Sequence, residues 1–155
     1  MRKLADNAVA QRRYADAAHA FYQLAMESLK AHAAAGGSDT SSSNSSNSNS
    51  SSRAALGAFA RHYDTAELYY AYHLIHTTAH QPFKTVDDAT LFNAARFLLA
   101  RSLSRHDALP PGIALSEALL ALASLARALG AFKLARFANT RLQVGMAAAE
   151  QRAAV

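Results

Sequence analysis

The chain has 155 residues and carries 16 lysines and arginines against 11 acidic residues, a net charge of +5. It has no cysteine, which excludes disulfides and cysteine-based zinc sites and fits a reducing compartment. Half of it is hydrophobic, much of that alanine, with no tryptophan and little glycine or proline, a composition that favours helices over strands.

The first helix is predicted over ~2–12 and the second over ~15–34. Arg2 and Lys3 follow Met1, but Asp6, Asn7 and Gln11 interrupt what would be an apolar core, so the start does not read as a secretory signal. Gly36 to Ser52 is a Ser/Asn-rich tract with no apolar side chain, read as a disordered insertion between a first helical pair (1–35) and a run of helical repeats (53–150). Its two Asn-x-Ser matches carry no weight without a secretory route.

Beyond the tract, ~53–61 and ~64–79 read as a close helical pair, followed by a kink at Gln81-Pro82-Phe83. Thr85 with Asp88 forms a variant capping box that predicts a helix over ~85–104. Pro110-Pro111-Gly112 is a firm break. The next helix, ~113–129, carries a stripe of Leu115, Leu119, Leu122, Leu125 and Leu129 on one face. Gly130 suits the left-handed position that ends it, and a last helix runs over ~131–149, with 151–155 a tail. The Leu115–Leu129 stretch is too short and too polar to span a bilayer.

An aromatic followed by alanine three positions later recurs as Tyr14-x-x-Ala17-x-x-x-Phe21, Tyr63-x-x-Ala66-x-x-x-Tyr70 and Phe132-x-x-Ala135-x-x-x-Asn139. The pattern marks the second helix of a tetratricopeptide repeat, whose period is about 34 residues. The aromatic opens the helix, and the alanine sits where the paired helices cross. Tyr63 to Phe132 spans two such periods, and Tyr14 to Tyr63 spans one when the serine tract is set aside. The expected fold is all-α, with antiparallel helix pairs in a tetratricopeptide-like, right-handed α-solenoid. Tyr14, Ala17, Phe21, Tyr63, Ala66, Tyr70, Gly130, Phe132 and Ala135 are its packing positions.

No phosphate-binding glycine loop, nucleophile elbow or zinc-protease motif appears, so no catalytic, cofactor or metal residue is expected. His73, His76 and His80 share a helix face at metal-ligand spacing, but no cysteine or carboxylate completes a site. The plainer reading is a helix groove or solvent. Tyr69 and Tyr72 are freer of the repeat pattern than Tyr63 and Tyr70. With His73, His76, Lys133 and Arg136 they are the candidate partner surface. The basic residues are dispersed, so nucleic acid is not an expected partner, and weak contact with acidic lipid is a secondary reading.

Several stretches go beyond a generic repeat: Gln11 to Ala17, Ala66 to His76, Pro82-Phe83, Thr90 to Leu99, and Leu129 to Arg136. In this order they resemble the C-terminal helical region of a large subunit of intraflagellar transport complex A, the one-twenty-two type. Members of that family carry β-propellers before such a region and cysteine-paired zinc motifs after it, and neither occurs here. The resemblance implies a fragment of a non-enzymatic scaffold that supports retrograde ciliary transport and ciliary entry of membrane proteins. Its implied partners are other complex A subunits and ciliary cargo adaptors, and its implied places are the cytoplasm, the cilium or flagellum and the ciliary base. A peripheral coat-like module on acidic lipid, or a generic tetratricopeptide adaptor, is the alternative.

Overall fold

The computed structural model describes residues 1–36, 45–79, 86–104 and 109–153, and among them every regular element is an α-helix. In chain order these are α1 (Arg2–Ala10), α2 (Tyr14–Gly36), α3 (Ser45–Ala79), α4 (Asp88–Ser104), α5 (Leu115–Ala128) and α6 (Phe132–Ala153). The chain divides into two compact units, Met1–Tyr69 and Tyr70–Val155.

In the first unit α1 and α2 form a tight hairpin. The last turn of α1 leaves carbonyls without helical partners. The Arg12 and Arg13 N–H groups fill two of them, donating to the Val9 and Ala8 carbonyls at 2.9 and 2.8 Å. This is a Schellman turn, and it needs a left-handed residue, which here is Arg12 at φ 56°. A side chain in that conformation costs about 1–2 kcal/mol, offset by the two carbonyls it satisfies. Ala5 and Ala8 are the buried residues of α1, and Ala17 of α2 is fully enclosed. Side chains this small let the helix axes approach closely.

α3 runs antiparallel along α2. Tyr69 lies against Tyr14 near the start of α2, His62 against Phe21 further along, and Ser52 against His32 near its end. The sequence pattern divides this region into helices at ~53–61 and ~64–79, but α3 is continuous. Nothing between Arg61 and Thr65 stops a helix, since no glycine or proline lies there and Thr65 returns its hydroxyl to the Arg61 carbonyl at 2.8 Å. Tyr63 therefore sits mid-helix rather than opening one. The tract expected to be disordered over 36–52 also differs. Gly36 ends α2 and Ser45 to Ser52 begin α3, while 37–44 lie outside the described residues. Extending an existing helix is far easier than nucleating one, and Ser52 Oγ at 2.7 Å from His32 Nδ1 ties this end to α2.

In the second unit α5 packs on both α4 and α6. The expected start of α4 at Thr85, and the kink at Gln81–Phe83, lie outside the described residues. The helix itself begins at Asp88, and its cap is Asp87, which accepts from the Thr90 N–H at 2.8 Å and the Thr90 hydroxyl at 2.7 Å. These bonds favour the ionised carboxylate and hold its pKa below the usual value, the backbone bond contributing most. Pro110-Pro111-Gly112 forms a turn closed by the Ile113 N–H on the Pro110 carbonyl at 3.3 Å, with Gly112 at φ 83° as a type II turn requires. Leu119, Leu122 and Leu125 of the predicted stripe are buried with Leu91 and Leu98 of α4, while Leu115 at its outer end is exposed. Each full burial is worth about 2 kcal/mol. α5 ends as α1 does, with Gly130 at φ 71° and Ala131 N–H donating to the Ala126 carbonyl at 2.7 Å.

Candidate interaction surface

The phase of α3 decides which tyrosines are available. Tyr69 has no exposed surface; its ring stacks on Tyr14 at 6.2 Å and on Phe21 at 5.6 Å. Burial, and secondarily the neighbouring Tyr14 and Asp6, push its phenol up to about 12, with Arg2 opposing. Tyr72 is also buried. These two residues, expected from the sequence to face a partner, are core anchors. Tyr63 and Tyr70, expected to be packing positions, are 39% and 52% exposed. The reversal has a simple cause. Once Tyr63 lies inside a continuous helix, its motif no longer fixes which face turns inward. The signal that would have found the buried face is the spacing Ala66, Tyr69, Tyr72 and Ile75, a run that continues past the motif.

Tyr63 keeps company at the surface. Its ring lies 5.6 Å from Phe59 and 6.3 Å from Tyr22, and the charge of Glu67 is the main cause that raises its phenol pKa. His73 is half-buried, with Thr77 Oγ1 at 3.3 Å from its Nδ1, and His76 is exposed beside the Tyr72 ring. His80 lies outside the described residues, and among those described no three His, Asp or Glu side chains gather as a metal site. No described helix is long and apolar enough to cross a membrane.

A shallow groove of about 240 Å³ runs along α1 and α2 between Met1, Leu4, Asn7, Gln11, His19 and Gln23. Its polar side chains pair locally, Gln11 with Asn7, Gln23 with His19, and Arg13 with Asp16 in an ion pair.

Among the described residues the most exposed large apolar side chain is Phe132, 70% accessible at the start of α6. Gly130 and Ala135 beside it hold the hairpin, Ala135 being buried. Lys133 and Arg136 are exposed on the same helix, and the Arg141 guanidinium lies over the Phe137 ring at 5.6 Å. The exposed aromatic side chains of the described surface include a group around Tyr63 and, on α6, Phe132 flanked by cations. Aromatic and arginine side chains of this kind dominate protein–protein contacts.

No protein-family model matches the chain. Among known proteins it is 36% identical over 143 residues to the human intraflagellar transport protein 122 homolog, 35% to the mouse protein and 33% to the zebrafish protein. Each match covers 92% of this chain but only 10–11% of the relative. The chain thus spans about a tenth of the length of the curated relatives it matches, and the resemblance read from its sequence extends over nearly all of it.

Proposed function

We propose that this chain, homologous to one stretch of the intraflagellar transport protein 122 homologs, is a non-enzymatic scaffold module of intraflagellar transport complex A. The observation that carries the reading is the 33–36% identity sustained over 143 residues in human, mouse and zebrafish proteins. On this reading the helix pairs stack as a tetratricopeptide-like, right-handed solenoid. The module acts by association: rigid hairpins present side chains to partner helices, and no bond is made or broken. Its partners are other complex A subunits and ciliary cargo adaptors, its setting the cilium or flagellum and its base, and its role retrograde transport and the ciliary entry of membrane proteins.

The burial pattern supports such a role. The core of the described residues contains no buried polar or charged side chain, while aromatic residues remain on the outside. Affinity capture from ciliated cells with the full chain tests the reading. Recovery of complex A subunits is the expected result, and a folded bait that recovers none refutes it.

A further inference from the structure

The two hairpins are copies of one device set 118 positions apart. Ala5 and Ala8 of α1 correspond to Ala123 and Ala126 of α5, and all four are buried. Arg12 corresponds to Gly130, both left-handed. Ala17 and Ala20 of α2 correspond to Ala135 and Ala138 of α6, again all buried. The Ala17 and Ala135 N–H groups donate to the carbonyls of Arg13 and Ala131, each at 3.0 Å.

The correspondence ends on one sector of the second helix. In α2 that sector carries Tyr14, Ala18, Phe21 and Ala25, all buried, and α3 lies along it. In α6 the same sector carries Phe132, Arg136, Asn139 and Gln143, of which only Asn139 is even half-buried. The anchor position is thus aromatic in both hairpins, covered by Tyr69 in one and bare in the other. The flanking side chains have changed from small and apolar to polar and basic. Over 132–145, α6 has Lys133, Arg136 and Arg141 and no acidic residue. Among the described residues neither Lys133 nor Arg136 forms an ion pair.

We infer that the sector of α6 centred on Phe132 and Arg136 receives an acidic amphipathic helix of a partner protein, antiparallel to α6, in the place that α3 takes on α2. An aromatic or branched apolar side chain of that helix covers Phe132 as Tyr69 covers Tyr14, and its carboxylates meet Arg136 and Lys133. This names a partner class for one face of the scaffold and rests on that reading for its biological setting, but its geometry comes from the internal copy.

The test uses the full chain and two synthetic amphipathic helical peptides with one shared apolar stripe bearing a tyrosine. One stripe is flanked by glutamates, the other by lysines. The glutamate peptide binds, and its affinity falls as salt rises. Phe132→Asp and Arg136→Glu each weaken it by about tenfold or more. Both positions are exposed, so the variants keep their helical circular dichroism and thermal midpoint. Arg136→Glu should gain affinity for the lysine peptide, a reversal that mere loss of structure would not produce. Equal binding of both peptides, or binding unmoved by either variant, overturns the inference. So does failure of both peptides to bind, which identifies the sector as a solvated cap, or flotation of the chain with phosphatidylserine vesicles through the same two residues without peptide binding, which makes it a membrane contact. If wild-type and Phe132→Asp baits capture complex A subunits equally, the scaffold reading stands and this face assignment falls. If the glutamate peptide binds as described but no such subunit is captured, the face assignment stands and the scaffold reading falls.

Discussion

The α1–α2 and α5–α6 hairpins close with the same hydrogen bonds and bury alanines at matching positions, yet they end differently toward the outside. Tyr14 is enclosed by Tyr69, whereas Phe132 is 70% exposed. A turn and a seam of small side chains therefore specify a hairpin without specifying what lies on its back. That outer face is set by a separate group of residues, apolar in α2 and polar or basic in α6.

The contrast is broken most forcefully at the aromatic position. Tyr14→Ala should cost about 3 kcal/mol or more, as deletion of a buried aromatic does, while Phe132→Ala should stay within about 0.5 kcal/mol, as at exposed sites. Denaturant titration of the full chain separates the two. Equal costs would mean that the faces are not different in kind. The seam should respond alike in both hairpins, since Ala17→Trp and Ala135→Trp each overpack a closed contact by about 3 kcal/mol. A thermal midpoint that stays put in either variant removes that hairpin from the comparison.

The turns sharpen the comparison with smaller effects. Gly130→Ala should destabilise by about 1 kcal/mol because a side chain is placed at positive φ, and no neighbour lies within 4 Å of the added methyl to complicate the reading. Arg12→Gly should stabilise by about 0.5 kcal/mol, relief of strain being partly offset by the greater freedom of glycine in the unfolded chain. If Arg12→Gly destabilises instead, the arginine has a role that the turn geometry does not contain.

pH gives the mildest probes. Tyr69 has a raised phenol pKa in the folded state, so its contribution is complete below the ordinary value of 10.0 and is lost as pH rises toward about 12. Tyr69→Phe should flatten that alkaline limb in a pH series of melts. Asp87 has the opposite sign. Its folded pKa is lowered, so its help to α4 is present above the normal carboxylate range and fades as acid protonates it. Asp87→Asn should reduce that acid sensitivity.

Sequence patterns reach the helical class, the left-handed Gly130 and the buried alanines Ala17, Ala66 and Ala135, because small residues and turn formers act locally. They fail on α3, where the inside–outside assignment depends on helix phase over many turns. A motif of eight residues cannot set that phase without knowledge of whether the helix is interrupted. They also miss the cap of α4, since the pattern read there is Thr85 with Asp88, whereas the described helix begins at Asp88 and is capped by Asp87 through Thr90. The copied hairpin is visible only in part. Ala5 and Ala8 belong to short, exposed α1, which draws no attention until its turn is seen to match that of α5.

An interface of methyl groups contains no directional bond and nothing to measure position along its axis. One rod could slip a notch against its neighbour and still find methyls opposite. Alignment in each hairpin is therefore enforced from the clasp at its end, where the N–H groups of two successive residues hold two carbonyls at fixed separation. The long smooth contact supplies adhesion, and the short clasp supplies the ruler.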